Sequence, residues 1–149
     1  MRIAILFLIL VFLVDLLGIY IGSYRFYFYD VILHFLGGFF VAMFFVSFFN
    51  NLKIEGNALI KNKHLIWALI ITGSTLFIGV FWEFTEYLAT IYFSEALLKN
   101  YGIVCCMGNL DDTIEDLALD SFGAIMFVFL RDIFFIKLNM SGQKKDIHP

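Results

Sequence analysis

The sequence predicts an all-α polytopic membrane protein, a bundle of four transmembrane helices with both termini in the cytoplasm. Three observations carry this expectation. Of the 149 residues, 62% are hydrophobic and 19% aromatic, with a single proline; this is the composition of a membrane chain rather than of a soluble domain. Apolar stretches recur four times, each near the ~20 residues that cross a ~30 Å hydrocarbon core at ~1.5 Å per residue. Basic residues gather on one side of the topology that these stretches define.

The first span runs from about Ile3 to Ile21 and holds Asp15. No small-residue cleavage site follows it, so it reads as a retained helix and not as a signal peptide. A polar and aromatic link, Gly22 to Tyr29, comes next; its tyrosines suit a membrane interface. The second span covers about 30–49 and carries His34 and Gly37-Gly38. A polar loop, 50–64, leads to the third span, about 65–92, with Trp82-Glu83-Phe84-Thr85-Glu86-Tyr87 in its second half. The longest loop follows, from about Phe93 to Leu110, with adjacent thiols at Cys105-Cys106. That pair is neither a disulfide framework nor a zinc pattern. The fourth span covers about 111–136. Residues 1–136 thus form one transmembrane domain, and 137–149 a polar cytoplasmic tail.

In this topology eight of the ten Lys and Arg residues face the side of the termini, and the positive-inside bias makes that side cytoplasmic. The acids do the opposite. Ten of the thirteen fall in the outer half, leaving it with a net charge of −8 against +5 inside. Asp30 and His34 lie four apart, Glu83 and Glu86 three apart, and Asp112, Asp116 and Asp120 recur every four residues. Each set shares a helix face. Carboxylates at membrane depth are expensive unless paired, and metal sites in helical bundles are built from inward acids on facing helices. His34, Glu83, Glu86, Asp112, Asp116 and Asp120 are therefore the candidate ligands of a divalent metal ion. Oxygen donors suit Mg, Mn or Ca, and the histidine admits Zn or Fe. Asp30 and Glu86 are the candidate general bases, Asp30 being ligand or orienter as well.

Simpler roles stand beside these. Asp15 serves equally as a helix–helix hydrogen bond, a proton site or a ligand. Asp111 caps the fourth helix, and Asp112 is cap or ligand. Glu115 points off the 112/116/120 face. His64 and His148 fall in polar segments, so a single histidine remains at depth, which argues against bis-histidine haem. Gly37-Gly38, Gly73, Gly79 and Gly123 read as close-packing sites.

The motifs Tyr29-Asp30-x-x-x-His34-Phe35, Trp82-Glu83-x-x-Glu86-Tyr87 and Asp112-Thr113-x-x-Asp116-Leu117-x-x-Asp120-x-x-Gly123-Ala124 resemble those of the YjdF-type family of small bacterial inner-membrane proteins. More distantly they are similar to VanZ-like proteins. The resemblance covers roughly Tyr29 to Phe129 and implies a helical membrane protein whose acids and histidine meet in one pocket. It implies no particular activity.

Three functions follow from these readings. The first is a metal-dependent hydrolase or transferase acting on a lipid or lipid-linked substrate near the outer leaflet of the cell membrane. The second is a cation or proton transporter subunit, which at this size needs a homo-oligomer to enclose a route. The third is a non-catalytic structural protein. Membrane lipid is the expected partner, and nucleic acid is not.

Overall fold

The computed structural model describes residues 1–52, 63–103 and 110–143, leaving aside the side chains of Arg25, Lys63 and residues 135–143. Four α-helices run in chain order: α1, Arg2–Ile21; α2, Tyr27–Asn51; α3, Lys63–Tyr101; and α4, Leu110–Gln143. The Cys105-Cys106 pair and most of the 50–64 loop lie outside the described residues.

α1 ends at Gly22, whose φ of 74° lets its N–H reach back to the last carbonyls. A single 3-10 turn, Ser23–Arg25, then reverses the chain into α2. α2 begins at Tyr27, so the expected link is shorter by one helical turn's worth of residues. α3 departs further from expectation. It continues nine residues past Tyr92, to Tyr101, because Ala96-Leu97-Leu98 are good helix formers that outweigh the polar residues around them. At ~1.5 Å per residue its 39 residues far exceed a ~30 Å core. α4 continues to Gln143, into the segment expected to be a tail.

By length and composition α1, α2 and α3 are apolar enough to cross a membrane. α4 differs in that Asp116, Asp120, Arg131 and Asp132 interrupt its apolar run. Its acids are turned inward, however: Asp116 and Asp120 are buried while Phe122, Ile125, Phe129 and Phe134 are more than half exposed. Leu6, Leu13, Phe77 and Phe81 are equally bare on α1 and α3. So much apolar surface is stable only when something other than water covers it.

α2 is the central helix and packs most extensively on α4. Glycines permit this. A Cβ at Gly38 would run into the backbone of Asp120, and one at Gly123 into the carbonyl of Phe35. Gly79 of α3 is closed in the same way by the Asp120 carboxylate. Gly73 has nothing within 4 Å, so the expectation that it mediates close packing is not met.

The interior divides by polarity along its length. At the end where α2 stops and α3 begins, Ala42, Val46, Ile71, Ala124 and Val128 form an apolar core, flanked by Phe45, Phe49 and Trp67. At the opposite end, by the α1–α2 turn, the buried polar residues are Asp15, His34, Glu83, Asp116 and Asp120. Buried hydroxyls are satisfied within their own helices; Thr75, for example, donates to the Ile71 carbonyl at 2.9 Å.

Two glycines should therefore behave oppositely. Gly38→Ala overpacks the α2–α4 contact and should cost ~1–3 kcal/mol. Gly73→Ala meets open space and should gain ~0.5–1 kcal/mol from helix propensity. Thermal unfolding of the two variants in detergent checks the contrast, and equal effects would contradict the packing described.

Candidate metal centre

His34 stands at the middle of the polar end, on the face of α2 turned toward α4. Its Nε2 lies 3.6 Å from Oδ1 of Asp30, one turn earlier on the same helix. The same nitrogen is 3.7 Å from Oδ1 of Asp116 on α4. Its Nδ1 is 3.8 Å from Oδ1 of Asp120. The four-residue spacing of Asp30 with His34, and of Asp116 with Asp120, stacks each pair on one face. The Gly38–Asp120 approach then sets α2 and α4 close enough for the two faces to meet.

α3 adds a second side. One ligand atom each from His34, Glu83 and Glu86 falls within 4.8 Å of the others, and the same holds for Asp30, His34 and Asp116. Metal–ligand bonds of ~2.0–2.6 Å bring donor atoms to such mutual distances with little adjustment. The two sets share the imidazole, so all three helices converge on it.

Glu83 is the most telling member. The residue is 8% exposed, and both of its carboxylate oxygens are buried without a hydrogen-bond partner. The Thr113 hydroxyl faces Glu83 but does not meet hydrogen-bond geometry. An unsatisfied buried carboxylate is among the costlier groups a fold can carry. Glu86 is steadied by Trp82, whose indole Nε1–H donates to Oε1 at 2.9 Å. This contact accounts for the Trp82-x-x-x-Glu86 spacing. Among the described residues every ion pair in the cluster is made with His34, and none involves Lys or Arg.

Two candidate ligands belong to neither three-residue set: Asp112, half-buried at the start of α4, and Asp120, which is buried on the Nδ1 side of His34. Asp111 is exposed. Glu115, off the inward face, accepts a hydrogen bond from the Tyr27 hydroxyl. His64 is exposed and lies 3.7 Å from Asp132 at the far end of the bundle.

Two contacts were not legible beforehand. Asp15 is buried and accepts a hydrogen bond from the Tyr24 hydroxyl, which folds back from the 3-10 turn. Burial and that bond push the Tyr24 phenol above its ordinary range, so it stays a donor. Tyr29 donates to the Val14 carbonyl at 2.5 Å and ties the start of α2 to α1. The one sequence signal was the density of tyrosine in the link, which indicates an interface but not a partner.

Residues 1–136 match the family model described as "Predicted membrane protein (DUF2238)". No curated protein and no solved structure matches the chain.

Removing the Tyr24 hydroxyl leaves Asp15 buried without a donor, so Tyr24→Phe should cost ~1–3 kcal/mol. The double variant Tyr24→Phe/Asp15→Leu should recover much of that loss. Thermal midpoints in detergent read both; a neutral single variant would contradict the pairing.

Proposed function

Because the chain belongs to the DUF2238 family of predicted membrane proteins, we propose that it is a four-span cell-membrane protein that holds a divalent cation in the acid and histidine cluster. The finer likeness to YjdF-type and VanZ-like proteins rests on the three motifs that build this cluster. The observation that carries the cation is Glu83. Two buried carboxylate oxygens without donors, beside His34 and Glu86, call for a positive partner that the described side chains do not supply.

In this reading His34, Glu83, Glu86 and Asp116 are the ligands, with Asp30 as ligand or orienter; Asp120, named as a ligand from its spacing, faces the other ring nitrogen of His34 and orients the imidazole. Asp112 stands at the rim. The fourth span is α4, whose buried acids face the bundle while its phenylalanines face lipid. Both termini are cytoplasmic by the Lys and Arg bias, so the cluster lies toward the outer leaflet.

The chemistry is metal-dependent hydrolysis or transfer on a lipid or lipid-linked substrate. A bound cation supplies Lewis-acid polarisation of an ester or phosphoryl oxygen and a more acidic water. Asp30 and Glu86 are placed to take the proton, Glu86 being oriented by Trp82. Transport is the weaker reading. It needs a polar route through the other half, and the buried interior there is Ala42, Val46, Ile71, Ala124 and Val128.

The test is metal analysis of protein purified in detergent without chelator. About one or two divalent ions per chain are expected, lost in both Asp116→Asn and Glu83→Gln. Because the ligands bind metal only when deprotonated, affinity should fall as pH is lowered. A wild-type chain that neither retains nor takes up a divalent metal would overturn the assignment. The topology has a separate check. The native Cys105-Cys106 pair should react with a membrane-impermeant maleimide added to intact cells, whereas a cysteine appended after Pro149 in a Cys105→Ser/Cys106→Ser chain should not. The reverse pattern would invert the orientation.

A further inference from the structure

α1 packs on α2 but makes no close backbone approach to α3. Between α1 and α3 lies a cavity of about 250 Å³ whose walls include Leu8, Phe12, Val41 and Ile78. The same four residues line a second hollow of about 360 Å³, which continues toward Ile5 and Phe45. The four shared walls make the two hollows neighbours along one groove, each near the lower end of the ~300–1,000 Å³ of clefts that take small ligands. Its walls are almost wholly apolar. Its upper end is not: there it is closed by Asp15, Tyr24, His34 and Asp120. Phe12 and Trp82 meet edge to face across the mouth, with centroids 6.2 Å apart.

Length and charge indicate the occupant. From Asp15 to Ile5 the groove follows ten residues of α1, or ~15 Å at 1.5 Å per residue. That is half of a ~30 Å hydrocarbon core, long enough for much of one acyl chain, and it runs from six residues inside the outer end of α1 toward its inner end. The groove lies between two helices with exposed apolar faces and is apolar along its length, which fits a hydrocarbon chain. At the polar end the charges do not balance. Asp15 and Asp120 line that end, and Asp30, Glu83, Glu86 and Asp116 gather behind them about a single imidazole. A head group bearing only negative charge would be repelled there, and one bearing an ammonium would be attracted.

We propose that the groove between α1 and α3 binds one acyl chain of a zwitterionic, amine-bearing phospholipid, with the head group against the acid and histidine cluster. Placing its phosphate on the cation rests on the function proposed above; seating its chain in the groove, and its ammonium on the surplus carboxylates, does not. The Phe12–Trp82 contact must part or shift to admit the lipid from the side.

The test uses the full chain reconstituted in phosphatidylcholine vesicles with a trace of phosphatidylethanolamine carrying a mid-chain diazirine. After illumination, adducts are mapped by mass spectrometry and bound metal is measured on the same preparations. Adducts should concentrate on Leu8, Phe12, Val41 and Ile78 rather than on the exposed α4 residues Phe129 and Phe134. Leu8→Trp and Ile78→Trp, which fill the groove from opposite walls, should each lower this labelling on the order of tenfold with metal content unchanged. A phosphatidylglycerol analogue should label the groove less. Adducts spread evenly over the exposed helices, or undiminished in both tryptophan variants, would overturn the chain assignment. Equal labelling by the two lipids would overturn the head-group assignment. Groove labelling in a chain that holds no metal would sink the cation reading and leave the lipid reading standing.

Discussion

A carboxylate surrounded by hydrocarbon must be matched by positive charge or lose its own, because solvation by water is not at hand. In this protein that requirement falls on one end of a small bundle. Glu83, Asp116 and Asp120 are buried there beside a single imidazole, with Asp30 and Glu86 at the edge. Among the described residues no lysine or arginine joins them. Replacing the acids with well-packed apolar residues would make a cheaper bundle. That this chain carries them at a cost, and gathers them in one place, is the physical argument for a function at this end.

The cluster depends on how closely α2 and α4 approach. Gly38 lies against the backbone of Asp120, and Gly123 against the carbonyl of Phe35. Those two contacts bring the His34 face of α2 to the Asp116–Asp120 face of α4. Farther along the same two helices the facing residues become Ala42, Val46, Ala124 and Val128. One helix pair thus supplies both the polar centre and the apolar core that anchors it. α3 completes the centre with Glu83 and Glu86, and its exposed phenylalanines turn outward to lipid. α1 stands slightly apart, held by Tyr29 and Tyr24 near its end and by the stacking of Phe7 on Phe40 at 4.5 Å.

Much of this was written in the spacing of residues. Asp30 with His34, Glu83 with Glu86, and Asp116 with Asp120 are neighbours on any helix, so each pair could be named from the sequence. The inward turn of α4 also followed from its period. Which pairs meet depends on helix rotation and approach, and the glycines indicated only that some contact was close. Gly73 looks like the others in sequence yet faces open space. Asp112 shares a face with Asp116, but its place near the helix start keeps it out of both ligand sets. The Tyr24–Asp15 bond depends on how a three-residue turn folds back, which no periodicity encodes. α3 ends later than the sequence predicts because Ser94, Glu95 and Lys99 look like loop, whereas helix propagation continues through them.

The account comes down to carboxylates from two helices and an imidazole from a third sharing one ion. X-ray absorption at the zinc edge, on protein loaded with zinc as a tightly binding stand-in, reads that arrangement most directly. The account predicts a mixed shell of oxygen and a single imidazole nitrogen at ~2.0–2.2 Å, with the imidazole signature absent from His34→Gln. A shell of oxygen alone in the wild type, unchanged by that substitution, would contradict it.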